Sequence, residues 1–133
     1  MNTRLVCDAS AIIALLLDAG PHGQWVSEAI SDAELTAPSL LAFECSNIIR
    51  RHELAGLVGA DQAAQAHADL IDLPIEPWPY DLLGSSVWEL RTNLSSYDAS
   101  YVAVAELADA PLITIDRRIS RAPNLRCVVR TPS

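Results

Sequence analysis

An α/β domain with a mainly parallel sheet of about five strands is expected from two features of the sequence. Apolar runs of strand length alternate with longer segments of helical periodicity. Gly, Pro or an acid stands where most of these segments must stop. The chain has 133 residues, half of them hydrophobic, which suffices for one core and leaves little room for a second. Residues 1–133 are therefore read as a single domain.

The first strand is expected over about Leu5 to Asp8, a continuous apolar run closed by an acid. A helix follows from about Ser10 to Asp18, stopped by Gly20-Pro21. A second helix, about His22 to Ser31, carries Trp25, Val26, Ala29 and Ile30 at helical spacing. Leu35-Thr36-Ala37 reads as a short strand, after which Pro38-Ser39 opens a long helix through about Ala55, ended by Gly56. Another helix spans roughly Ala60 to Leu73. Ile75 to Trp78 is a strand bounded by Pro74 and Pro79, which places it near an edge of the sheet. Helices are expected from about Tyr80 to Asn93 and from about Asp98 to Asp109. Leu112 to Ile115 is a strand, a turn of helix follows Asp116, and Arg126 to Val129 is the last strand.

The charge balance excludes several functions. Seventeen Asp and Glu oppose nine cations, for a net charge of −8, and all nine cations are Arg. A chain without lysine lacks the phosphate-binding residue of a P-loop, the Schiff-base residue of pyridoxal or aldolase chemistry and the strand lysine of a kinase. The same absence argues against the phosphorylation-receiver family, which uses an essential lysine. The acidity argues against a generic nucleic-acid or membrane binder, whose footprint is a basic surface. Cys7, Cys45 and Cys127 form neither a disulfide framework nor a metal-binding spacing, and are read as buried small hydrophobes in a reduced compartment. Met1 to Arg4 runs straight into the first strand, and no apolar run approaches the roughly 18 residues of a membrane span. A cytoplasmic protein is expected, without a membrane partner.

Four acids stand where a parallel sheet would bring them together. Asp8 and Asp116 each follow a strand and precede a helix, at the carboxyl edge where open α/β sheets bind ligands. Glu44 shares a helical stripe with Leu41 and Ile48, and Asp98 one with Val102 and Ala105. An acid on a core-facing stripe is unfavourable unless something pairs with it. Clustered carboxylates either trap protons or bind cations, and oxygen ligands without nearby His or Cys select Mg²⁺ or Mn²⁺ over Zn²⁺. A cation so held suits phosphodiester hydrolysis.

Four segments carry a family resemblance. Val6-Cys7-Asp8-Ala9-Ser10-Ala11-Ile12-Ile13-Ala14, Pro38-Ser39-Leu40-Leu41-Ala42-Phe43-Glu44, Tyr97-Asp98-Ala99-Ser100-Tyr101-Val102-Ala103-Val104-Ala105 and Leu112-Ile113-Thr114-Ile115-Asp116 resemble, in order, the acidic motifs of PIN-domain ribonucleases. They are most similar to the VapC toxins of bacterial toxin-antitoxin pairs. The resemblance implies a PIN-like three-layer α/β/α sandwich and a Mg²⁺- or Mn²⁺-dependent endoribonuclease, a homodimer neutralised by a cognate antitoxin. It assigns Asp8 and Asp98 as the main metal ligands of the catalytic site, with Glu44 and Asp116 completing the sphere directly or through water. It gives Ser10 and Thr114 the role of supporting the carboxylates. Where family members vary in further acids after the fourth, this chain has Arg117 and Arg118.

Each assignment has a structural alternative. Asp8 suits a strand-end turn, Asp98 a helix start with Ser95 in a capping-box pattern, and Asp116 a helix N-cap. Capping leaves Glu44 unexplained. Arg117, Arg118 and Arg121 are candidates to hold RNA phosphates, with Arg50-Arg51 as a second patch, or else belong to a solvated face. His22, His52 and His67 show no ligand spacing, and Trp25, Trp78 and Trp88, candidates to stack bases, each stand in an apolar pattern that favours the core. The face with Ala60, Ala63, Ala64 and Ala68 is a candidate contact for a dimer mate or an antitoxin. Two rival functions remain at this point. A haloacid-dehalogenase-like phosphatase needs an Asp two residues after the first and a later lysine, where this chain has Ser10 and none. A non-catalytic binding module would keep the acids as a structural cation site.

Overall fold

The structure is a computed structural model describing residues 3–133, so that Met1 and Asn2, expected to lead into the first strand, lie outside the described residues. Among these residues, strands β1 (Thr3–Cys7), β2 (Ala33–Pro38), β3 (Ile75–Trp78), β4 (Leu112–Ile113) and β5 (Val129–Arg130) form one sheet. Their order is β3-β2-β1-β4-β5, and every neighbouring pair is parallel. The Pro-flanked β3 is an edge strand, as expected. Its own Pro77, which has no N–H to donate, is tolerated there.

The connections are α1 (Ala9–Leu17), α2 (Pro21–Ile30), α3 (Leu41–Leu54), α4 (Ala60–Asp72), α5 (Tyr80–Glu89), α6 (Ser96–Ala108) and α7 (Arg117–Ser120). The chain steps outward from β1 to β2 to β3, then returns to lay β4 on the other side of β1. Because parallel crossovers are right-handed, this reversal puts α1 to α4 on one face and α5 and α6 on the other. It also makes the β1–β4 junction the topological switch point, where successive connections part to opposite faces and leave a crevice at the carboxyl ends. Helix α6 packs against β1, β2 and β4 and is buried without interruption from Ala99 to Ala105. Its Ala and Ser positions admit the close approach that holds its first turn at this edge.

Several element ends differ from expectation because backbone groups find other partners. Strand β4 stops at Ile113, not Ile115, since the Ile115 N–H donates to Ser10 Oγ (3.0 Å) and the Asp116 N–H to Thr114 Oγ1 (2.9 Å). Strand β5 begins at Val129, not Arg126, whose N–H donates to the Glu106 carboxylate (2.8 Å). Pro38 ends β2 opposite Trp78 and does not open α3. Helix α5 stops at Glu89, and residues 90–93 continue as turns, with Arg91 N–H reaching only the Trp88 carbonyl.

Three side-chain expectations also change. Cys7 and Cys45 are buried, but Cys127 is only half-buried. Trp25 and Trp78 pack against the core, whereas Trp88 is 65% exposed with the Arg91 guanidinium 4.6 Å from its ring centroid. On α4, Ala63 and Ala66 face inward with Leu70, so Ala63 is core rather than part of an outer face. Among the described residues no helix is long and apolar enough to cross a membrane.

Candidate functional site

Register brings the first and last motifs together. Cys7 pairs with Ile113, so Asp8 emerges beside Thr114, and the Asp8 N–H donates to the Ile113 carbonyl (3.2 Å). The Asp8 carboxylate, 5% exposed, caps α1 and is ringed by donors. Its Oδ1 accepts from Ser10 Oγ (2.7 Å) and the Ala11 N–H (3.0 Å), and its Oδ2 from Thr114 Oγ1 (2.5 Å). Ser10 and Thr114, named as supports from the sequence, both donate to this carboxylate while accepting backbone N–H groups from residues 115 and 116. Two hydroxyls thereby tie the β1–α1 corner to the β4–α7 corner.

Glu44 lies in the first turn of α3, half-buried, and its Oε1 accepts from the Tyr101 hydroxyl (2.5 Å). Tyr101 is itself 2% exposed in α6. The sequence reading gave it no role, although its position three residues after Asp98 places it on the same helical face. Asp98 is half-buried at the start of α6, where its N–H donates to Ser95 Oγ (3.1 Å) at the N-cap. Asp116 caps α7 and pairs with Arg118. The Arg118 Nε reaches both carboxylate oxygens (3.0 and 3.1 Å), Nη2 reaches Oδ2 (2.6 Å) and the backbone N–H reaches Oδ1 (2.9 Å).

The electrostatics join these four groups. Burial holds the carboxyl groups of Asp8, Glu44 and Asp98 above their ordinary range, against the donors that favour ionisation. Mutual repulsion adds to this: Asp116 acts on Asp8 and Asp98, and Asp98 and Asp8 act on Glu44. Asp116 goes the other way, held below the carboxylate range by the Arg118 guanidinium. Burial pushes the Cys7 and Cys45 thiols up to about 12, so neither presents a thiolate. The donor set is therefore oxygen-only and anionic, which fits a hard divalent cation and not a soft one. Among the described residues, no three His, Cys, Asp or Glu side chains are gathered closely enough to hold an ion as they stand. Asp8, Glu44 and Asp116 each turn carboxylate oxygens onto protein donors.

The three capping alternatives hold together with the clustering. Asp8 and Asp116 accept N-cap bonds, and Ser95 caps the helix of Asp98, yet all three carboxyl groups still interact electrostatically. The remaining candidates lie elsewhere or act locally. Arg117 donates to the Pro132 carbonyl (3.2 Å), Arg121, Arg50 and Arg51 are exposed, and His52 Nδ1 is 2.9 Å from the Ile48 carbonyl.

Residues 5–125 match the model of the PIN domain family. VapC ribonuclease Mb0985 of Mycobacterium bovis is 35% identical over 125 residues, covering 94% of this chain and 95% of that protein. Ribonuclease VapC1 of Mycobacterium tuberculosis is 33% identical over 126 residues, with 94% and 95% covered. Among solved structures, VapBC2 from Rickettsia felis, bound to a DNA fragment from its promoter, has a similar fold: TM-score 0.69 at 12% identity, covering 97% of this chain and 98% of that one.

Proposed function

Since the chain belongs to the PIN-domain family, with VapC ribonucleases as relatives along nearly its whole length, we propose that it is the toxin of a toxin-antitoxin pair, an endoribonuclease that hydrolyses RNA phosphodiester bonds at the Asp8, Glu44, Asp98 and Asp116 site with Mg²⁺ or Mn²⁺. The observation that most supports this reading is the electrostatic coupling of four carboxyl groups at the carboxyl edge of the sheet, three of them held above their ordinary range by burial and, to a smaller extent, by repulsion from others of the four. Clustered carboxyl groups at a ligand-binding edge repel one another, and a bound cation relieves that repulsion.

Asp8 and Asp98 would be the main ligands, with Glu44 and Asp116 completing the sphere directly or through water. When bound, such an ion supplies Lewis acidity toward a water and the phosphoryl oxygens. The chain's own groups set up that chemistry. Ser10 and Thr114 fix the rotamer of Asp8 and favour its ionised form. Tyr101 orients Glu44 and, by donating to it, favours the carboxylate over the acid. A net charge of −8 repels RNA at long range, so contact depends on the cation and on local arginines, for which Arg117, Arg118 and Arg121 are the candidates.

The cognate antitoxin and a second copy of the chain are the proposed protein partners, in the cytoplasm. Phe43, Leu54, Leu57 and Ile71, each at least 69% exposed on α3, α4 and the turn between them, support an apolar contact surface. The motif that a haloacid-dehalogenase-like phosphatase needs is missing at Ser10. A structural cation site alone leaves the family membership without a role.

The test is cleavage of RNA by the purified protein with Mg²⁺ or Mn²⁺ and with chelator, parent against Asp98→Asn. Cleavage should need the metal and fall by on the order of 10³ in the variant, with an unchanged circular dichroism spectrum. Equal cleavage by the variant would overturn the site assignment. Sequencing RNA ends after a short pulse of expression would identify the substrate in the same comparison.

A further inference from the structure

Arg118 sits on the acid that is expected to face the cation. Its guanidinium makes three contacts of 2.6 to 3.1 Å with both oxygens of Asp116, and its backbone N–H adds a fourth at 2.9 Å. A carboxylate has about four lone-pair sites on two oxygens, so Asp116 has little capacity left for a further ligand while this pair is closed. The guanidinium charge also acts on Asp98, favouring its ionised form. Its side chain is 82% exposed against 22% for Asp116. With the guanidinium on the solvent side, the pair can open without disturbing the core, and a competing cation can take its place on the carboxylate.

We infer that Arg118 is an internal counterion that occupies Asp116 in the free protein, competes with the divalent cation for that carboxylate and is displaced when the cation binds. The inference rests on the metal-site reading above. Neither neighbouring arginine can do the same work as placed, since Arg117 is turned to the Pro132 carbonyl and Arg121 lies at the far end of α7. Displacement leaves a planar fork at the rim of the site, suited to a phosphate.

Two measurements on the full chain test this without relying on cleavage. Mn²⁺ binding, followed by the electron paramagnetic resonance of the free ion, should be roughly threefold tighter or more in Arg118→Ala than in the parent. Arg118→Lys, which keeps the charge and loses the fork, should fall between them. In the parent, the ¹⁵N–¹H signal of the Arg118 Nε should move from its carboxylate-bound position to that of a free guanidinium in step with Mg²⁺ saturation. A parent that binds Mn²⁺ with an affinity equal to that of Arg118→Ala, or an Nε signal unmoved at saturation, would overturn the competition and leave the metal site standing. A parent that binds no Mn²⁺ would overturn both.

Discussion

The corners at the ends of β1 and β4 are built alike and behave in opposite ways. Each places an aspartate directly after or near the end of a parallel strand, and each aspartate caps the helix that follows. Asp8 is nonetheless held above the ordinary carboxylate range and Asp116 below it. The difference lies in what surrounds the same local motif. Asp8 is buried and has only neutral donors around it, from Ser10, Ala11 and Thr114, so desolvation outweighs its hydrogen bonds. Asp116 is closer to solvent and has a guanidinium on both oxygens. A helix cap fixes where a carboxylate points, while burial and counterion fix its charge. The β1 corner therefore holds a carboxyl group with no charged partner on it, and the β4 corner carries its own counterion.

Thr114 joins the two corners, and removing its hydroxyl should have the largest effect on stability. Thr114→Val keeps the shape but withdraws the donor from Asp8 Oδ2 and the acceptor from the Asp116 N–H. We expect a loss of about 2 kcal/mol, or ~6 °C in the melting midpoint, read by thermal unfolding in chelator. A change under about 0.5 kcal/mol would mean the hydroxyl does not hold the corners together.

Asp8→Asn should act in the other direction. An amide keeps an acceptor for Ser10 and Ala11 and removes the buried charge, so the metal-free variant should be as stable as the parent or more so, by on the order of 1 kcal/mol. Because the folded-state value of Asp8 is raised, the folded protein binds more protons than the unfolded chain between the ordinary and the raised values. Stability from this group therefore falls as pH rises through that window. The advantage of Asp8→Asn should be absent below the ordinary carboxylate range and full above the raised value. Denaturant unfolding of both proteins across that range checks it, and a pH-independent difference would break the contrast.

Asp116→Asn should move stability least. Asparagine caps helices well, and the guanidinium it loses is mostly exposed to solvent. The pH dependence has the opposite sign here: a lowered folded-state value contributes stability above the ordinary range and loses it as pH falls through the lowered value. The variant should leave the neutral-pH midpoint nearly unchanged and remove this acid-side loss. A large drop at neutral pH would show that the Arg118 pair is structural.

The centre of the sheet was legible because the buried strands β1 and β4 read as apolar runs with an acid shortly after each, and β3 because prolines flank it. The order β3-β2-β1-β4-β5 was not, since strand order depends on which faces the helices cover. The ends of β4 and β5 escaped for a smaller reason: Ser10, Thr114 and Glu106 divert backbone N–H groups that a propensity argument leaves in the ladder. The four acids were visible from their positions, but their individual charge states were not. Tyr101 appears in the sequence as one more aromatic on a core helix, and only the tertiary structure, which brings its hydroxyl to a residue 57 positions earlier, makes it the donor to Glu44. Trp88 follows an apolar pattern yet faces solvent with Arg91 on its ring.

Under the proposed function, Asp8, Glu44, Asp98 and Asp116 act as one cation site. Thermal melts of the parent and Asp8→Asn, each with Mn²⁺ and with chelator, test it most directly. Binding to the folded state alone must raise the midpoint. Mn²⁺ should stabilise the parent and leave Asp8→Asn where chelator leaves it. The same Mn²⁺ shift in both proteins would contradict it.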